Sequence, residues 1–183
     1  GKPRWEPANY TKRFYGPSIM RVGIEKSRNL MTARLAMTIG MDRVQDYAKR
    51  FGLNDDLPPF LSMSLGAGET TLLRLTSAYG MLVNGGRKIT PSLIDRIQDR
   101  HGKTIYRHDA RDCGSCVAAD GWSNQPIPIL PDTREQLTDP ASAFQMVSML
   151  EGVIKRGTGR SINALNLVVA GKTGTTNDNT NGW

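Results

Sequence analysis

The sequence has no apolar run long enough to span a membrane and no long block of basic residues. Its formal net charge is nevertheless +7, which suits an anionic partner such as a nucleic acid, a membrane surface or a charged polymer. The basic residues are scattered, and few aromatic residues lie beside them. We therefore expect no nucleic acid among the partners of this protein.

Cysteine and histidine are scarce, with two of each. Cys113 and Cys116 form a Cys-x-x-Cys pair downstream of His101 and His108, and zinc held by all four is one interpretation. The spacing is irregular for a zinc finger, and the prolines that follow indicate a loop. We favour a local disulfide or free thiols, and we predict no metal and no cofactor.

The length of 183 residues and the hydrophobic content of 38% suit one domain with a buried core. Helical periodicity follows Pro17, Asn29, Asp42, Thr71 and Pro140, and we expect Asn29, Asp42 and Thr71 to cap their helices. Alternating residues over 94–106 predict a hairpin. Helices around strands indicate a mixed α/β (α+β) fold class.

The stretch from Val168 to Thr176 combines a short apolar run with Gly171-Lys172-Thr173-Gly174-Thr175. A phosphate loop is excluded, because Asn166 stands where its first glycine is required. We predict instead a strand over 163–175 that presents a cation and hydroxyl groups at an open backbone edge. The simpler alternative is a solvated edge lysine beside a bulge.

A second polar group, Ser27-Arg28-Asn29, lies at the junction of two predicted helices. Side chains at such a junction can point into a cleft. The simpler alternative is that Ser27 and Asn29 only cap helices, which is the commoner role of these residue types.

Together the two groups match the Ser-x-Asn and Lys-Thr-Gly motifs of penicillin-binding proteins and serine β-lactamases. The surroundings resemble the class A, bifunctional penicillin-binding proteins. Residues 16–30 resemble the region of their second motif, parts of 65–86 their next helix, and 152–176 the approach to their third motif. The resemblance covers most of the chain except about residues 107–139. Order, separation and flanks make it specific, although each triplet alone is a weak indication.

The chain departs from this family at one point, because it contains no Ser-x-x-Lys. In the family that motif precedes Ser-x-Asn, so we expect the nucleophilic serine and its lysine upstream of Gly1. We also expect a further strand after Trp183. The resemblance thus implies that residues 1–183 are the C-terminal part of a transpeptidase domain, an incomplete antiparallel sheet flanked by helices, with an irregular insertion at about 107–139.

The activity implied by the resemblance is D,D-transpeptidation of peptidoglycan, with stem peptides as substrates and β-lactams as covalent inhibitors. Ser27, Asn29 and Lys172 are the implied catalytic residues. Ser27 relays a proton to the leaving amine, Asn29 orients the missing lysine and the substrate backbone, and Lys172 attracts the substrate carboxylate and helps to transfer the proton.

The implied substrate-binding residues are Thr173, Gly174 and Thr175. The two threonine hydroxyls fit as donors to the carboxylate, and the Thr175 amide fits as an oxyanion donor. Gly174 keeps the edge clear, so that the substrate can lie along it as an added strand.

The family implies a place on the periplasmic side of the bacterial inner membrane, with the membrane tether outside this chain and cell-wall synthesis proteins as possible partners. The parent protein is expected to carry a glycosyltransferase domain as well. A β-lactamase or β-lactam sensor of the same fold is a second hypothesis. A nucleotide- or nucleic-acid-binding module is a third.

Overall fold

The computed structural model describes residues 5–111, 124, 126–127 and 129–175. The α-helices of this part of the chain are α1 (Met20–Glu25), α2 (Asn29–Ile39), α3 (Met41–Arg50), α4 (Leu72–Val83) and α5 (Pro140–Lys155). Short 3₁₀ helices cover Leu61–Leu65 and Arg160–Leu165. Strands β1 (Arg96–Gln98) and β2 (Thr104–Arg107) form an antiparallel hairpin. Of the helices described, none is long and apolar enough to cross a membrane.

Several elements begin or end where local signals in the sequence place them. The Thr71 hydroxyl accepts the amide of Arg74 and so caps α4. Helix α5 begins at Pro140, and its N-cap Asp139 accepts the Ser142 amide at 2.8 Å. Gly40, at φ 89°, ends α2. The hairpin is antiparallel with an irregularity between Ile97 and Gln98, and these elements together confirm the mixed fold class with an antiparallel sheet.

Two predicted helix caps are wrong. Arg28, not Asn29, is the N-cap of α2, and Asn29 is already the first helical residue. The buried Asn9 provides the cap from a distant segment, because its side-chain oxygen accepts the Leu30 amide at 3.2 Å. Asp42 likewise lies in the first turn of α3, whose N-cap is Gly40.

The strand predicted over 163–175 is also wrong for most of its length. Residues 160–165 form the second 3₁₀ helix, which Asn166 ends in a left-handed conformation at φ 52°. From residue 166 to 174 the described chain has no regular secondary structure. A strand needs a paired neighbour for its backbone groups, and here the Gly171 amide donates instead to the Leu150 carbonyl of α5 at 3.3 Å.

The core forms where α3 and α4 meet the segment that leads into α5. Phe51, Ala78, Met81 and Leu137 make one buried cluster. Leu137 is 1% exposed, and its amide donates to the Gly86 carbonyl at 2.8 Å. Helix α5 also contributes buried side chains, among them Ala143 and Val153, which are both fully inaccessible to solvent. This helix is therefore the central support for the segment that carries Lys172.

The cysteine pair lies outside the described residues, and so does Thr176. The disulfide or free-thiol state of Cys113 and Cys116 therefore stays a prediction. Among the residues that the structure does describe, no group of three or more His, Cys, Asp or Glu is placed to hold a metal ion.

Candidate active site

Ser27 lies in a tight turn between α1 and α2. Its φ is +51°, in the left-handed region that a side chain with a β-carbon rarely adopts. Two backbone hydrogen bonds close the turn, from the Ser27 amide to the Ile24 carbonyl at 3.1 Å and from the Arg28 amide to the Gly23 carbonyl at 2.8 Å. Such conformations persist where the surroundings hold them, and they concentrate at functional sites.

Lys172 points at this turn. Its ammonium donates to the Ser27 hydroxyl at 2.8 Å and to the Thr173 carbonyl at 2.8 Å. Burial lowers the pKa of Lys172 below its usual range, because desolvation penalises the charged form. The two motifs of the sequence therefore meet as a half-buried cation hydrogen-bonded to a serine hydroxyl.

The residues after Lys172 leave an accessible backbone edge. The Thr173 hydroxyl lies 2.6 Å from the Thr158 hydroxyl, which fixes the start of this segment against the end of α5. Gly174 and Thr175 are both exposed. An extended ligand can thus approach Gly174, where no side chain stands in the way.

Asn29 is not directed at Lys172. Its amide donates to the Ala8 carbonyl at 3.0 Å, which ties α2 to the N-terminal segment. The neighbouring Arg28 stacks its guanidinium over the Tyr15 ring at 3.2 Å from the ring centroid. The structure therefore brings Ser27, Lys172 and Thr173 together, and it places Asn29 in the same turn with a backbone partner of its own.

A cavity of about 980 Å³ opens beside the Ser27–Lys172 pair. Helices α3, α4 and α5 and the segment over residues 51–70 provide most of its wall, and Ser27 and Lys172 are among its polar lining residues. Apolar side chains dominate the lining; they include Val44, Phe51, Leu75, Tyr79, Met146 and Leu150. The site thus consists of a polar pair at one side of a largely hydrophobic space.

Sequence reasoning missed three residues behind the site. Glu25 is buried and paired with Arg156 at 2.5 Å, and its carbonyl accepts the Thr158 amide at 3.1 Å. No local pattern marks them, since they act across two distant elements. Gly152 and Gly157 each lie too close to Glu25 to carry a β-carbon. These two glycines are the signal in the sequence that could have indicated the close approach.

A family model for the penicillin binding protein transpeptidase domain matches residues 1–182. The chain belongs to this family of penicillin-binding protein transpeptidase domains, as its two motifs indicated. The match covers the cavity, the Ser27 turn and the Lys172 segment together.

Relatives and solved structures of the same kind support this membership. The chain is 46% identical to penicillin-binding protein 1A of Rickettsia bellii over 100% of its own length and 23% of the relative's. It is 34% identical to penicillin-binding protein 1A of Pseudomonas aeruginosa, over 98% of this chain and 25% of that one. It therefore spans about a quarter of the length of these curated relatives.

Crystal structures show the same fold. Penicillin-binding protein 1A from Haemophilus influenzae superposes with a TM-score of 0.76 at 29% identity, over 97% of this chain and 29% of that chain. The D,D-transpeptidase domain of a peptidoglycan glycosyltransferase from Eggerthella lenta gives a TM-score of 0.67 at 20% identity, over 95% and 45%. The second likeness concerns the fold alone.

Proposed function

We propose that the full-length protein is a serine D,D-transpeptidase of cell-wall synthesis, and that this chain supplies two walls of its active site. In the reaction, a serine hydroxyl attacks the carbonyl between two terminal D-alanines of a stem peptide. The amide bond breaks, the leaving amine takes up a proton, and D-alanine departs. An amine of a neighbouring stem peptide then attacks the acyl-enzyme ester and releases the serine.

The hydrogen bond from Lys172 to Ser27 is the observation that carries this proposal. A half-buried ammonium of lowered pKa attracts a substrate carboxylate and gives up a proton more readily than a solvated lysine does. Ser27, in contact with it, is placed to pass that proton to the leaving amine. The pair thus provides the charge and the relay that acyl transfer requires.

The nucleophile comes, in this proposal, from a Ser-x-x-Lys motif in a segment that packs into the cavity beside the pair. The cavity wall is largely apolar, which suits a buried helix. A serine on such a helix reaches the reacting carbonyl from the side of the Ser27 hydroxyl. The Asn29 Nδ2 then donates to a carbonyl of the substrate backbone instead of the Ala8 carbonyl, and the Asn29 Oδ1 accepts from the lysine of that motif.

The exposed edge at Gly174 and Thr175 is the proposed substrate groove. The Thr173 and Thr175 hydroxyls donate to the terminal carboxylate, and the Thr175 amide donates to the oxyanion. β-Lactams occupy the same groove as mimics of the D-alanyl-D-alanine end, in keeping with the penicillin-binding proteins to which the chain is similar. The protein acts on the periplasmic side of the inner membrane, and the parent protein also carries a glycosyltransferase domain.

The intact mass of the full-length protein after incubation with benzylpenicillin tests the proposal. We expect a covalent adduct on a serine of Ser-x-x-Lys, and its slow formation or loss in Lys172→Ala. A folded full-length protein without an adduct contradicts the proposal. An adduct that forms on Lys172→Ala at the wild-type rate removes Lys172 from the site.

A further inference from the structure

Helix α1, which leads into the Ser27 turn, is fixed to α5 by charged side chains. The Arg21 guanidinium donates to the carbonyl and to the hydroxyl of Ser148, at 3.1 and 3.3 Å. One turn later, Glu25 is 4% exposed. A carboxylate this inaccessible requires a partner, since an isolated buried charge is costly.

Arg156 is the main partner, and the Arg21 guanidinium also lies 3.7 Å from Glu25 Oε1. The Arg156 guanidinium donates to both carboxylate oxygens of Glu25, from Nη2 to Oε1 at 2.5 Å and from Nε to Oε2 at 3.2 Å. A two-pronged contact of this kind fixes orientation as well as distance. The hydrogen bond from Arg156 is the largest cause that lowers the pKa of Glu25.

The backbone of Glu25 is held from the same side. Its carbonyl accepts the Thr158 amide at 3.1 Å. The Thr158 hydroxyl in turn lies 2.6 Å from that of Thr173, next to Lys172. The side chain of Lys26 also donates to the Arg156 carbonyl. The end of α1 is thus joined through Arg156 and Thr158 to the segment that carries the cation.

Two glycines provide the space for this contact. A β-carbon on Gly152 would overlap the Glu25 carboxylate, and one on Gly157 would overlap the Glu25 carbonyl. The close approach of α1 to the end of α5 therefore depends on their lack of side chains.

We propose that Glu25 is a positioning residue of the active site, which through Arg156 and Thr158 fixes the turn that holds Ser27 against Lys172. Only Lys26 lies between Glu25 and Ser27, so a shift of the carboxylate moves the left-handed turn directly. The inference rests on the proposed function, because it assigns importance to the Ser27–Lys172 geometry. It adds a residue that touches neither substrate nor reacting atoms.

The acylation kinetics of the full-length protein with benzylpenicillin test this role. Saturation kinetics separate the dissociation constant of the first complex from the acylation rate constant. We expect Glu25→Gln to lower the acylation rate constant by about 10- to 100-fold, the range that a displacement of about 1 Å produces, and to leave the dissociation constant near that of the wild type. Arg156→Lys, which keeps the charge but loses the two-pronged contact, should give a smaller loss of the same kind.

Glu151→Gln is the matched control. It removes a carboxylate of α5 that pairs with Lys155 at 2.6 Å. Unlike the buried Glu25, the Glu151 side chain is 30% exposed. We expect its acylation rate constant to equal that of the wild type. If Glu25→Gln is poorly folded, Arg156→Lys supplies the decisive measurement.

A purely structural role predicts another result. It would reduce the fraction of protein that reacts and leave the acylation rate constant of the reacting fraction unchanged, and this outcome overturns the inference. Failure of the proposed function is a separate result, in which the wild type forms no adduct or Lys172→Ala acylates as fast as the wild type.

Discussion

The Lys172 ammonium donates to the Ser27 hydroxyl at 2.8 Å across a sequence separation of 145 positions. One partner lies in a turn after a six-residue helix and the other in a segment without regular secondary structure. Neither element fixes this distance by itself. The contact exists because both pack on α5, so the site depends on that helix as much as on its own motifs.

Lys172 is the first residue to test by substitution. We expect Lys172→Ala to lower the rate of β-lactam acylation of the full-length protein by about 100-fold or more, since under the proposed function it removes the positioned cation that carries the proton. Lys49→Ala, which removes an exposed lysine of α3, is the control. Equal loss in both variants would mean that net charge, and not the site, controls acylation.

The Glu25 carboxylate should make stability depend on pH in the acidic range. Its folded-state pKa lies below 4.5, the usual value, chiefly because Arg156 donates to it. The stabilisation is therefore fully present above pH 4.5 and is lost as pH falls through the lowered pKa. Urea unfolding of wild type and Glu25→Gln, from about pH 7 down to about pH 3, measures the difference. The difference in free energy of unfolding between the two proteins should become smaller on acidification. A difference that does not change with pH contradicts the pairing of Glu25 with Arg156.

The contact of Leu137 with the core can be tested by truncation. Leu137 is 1% exposed and packs with Phe51 and Met81. We expect Leu137→Ala to lower the free energy of unfolding by about 2–5 kcal/mol. Leu93→Ala is the control, because Leu93 is fully exposed. A similar loss at both positions would place the effect outside the core.

The cap of α4 gives a smaller, local effect. The Thr71 hydroxyl accepts the Arg74 amide, so Thr71→Ala should cost about 1 kcal/mol of unfolding free energy. Thr71→Ser keeps the acceptor and should retain most of the stability. If thermal unfolding shows the two variants to be equally destabilised, the methyl group and not the cap is responsible.

Features that depend on neighbouring residues could be predicted from the sequence. The start of α5 at Pro140, the Thr71 cap and the hairpin over 96–107 all follow from short-range signals, and the structure has them. Ser27 and Lys172 could be singled out because their flanks resemble a family. The hydrogen bond between them could not be predicted from the sequence, and the structure adds it.

Features that depend on distant residues could not be predicted from the sequence. The Asn9 side chain caps α2 from 21 positions away, and the Glu25–Arg156 pair spans 131. The strand expected over 163–175 needed a partner strand, which periodicity cannot supply, and the described segment packs on α5 instead. β-Propensity shows that a segment can form a strand, whereas the residues packed against it determine whether it does.

The separation of 145 positions between Ser27 and Lys172 also has a consequence for the nascent protein. At ordinary rates of translation, the lysine leaves the ribosome roughly 7–30 s after the serine. Helices α1 to α4 have time to form before Lys172 has been added to the chain. A ribosome-bound intermediate therefore contains Ser27 without Lys172 and without Arg156 and Thr158, the partners of Glu25. The contact between Ser27 and Lys172 can form only near the end of synthesis of this region.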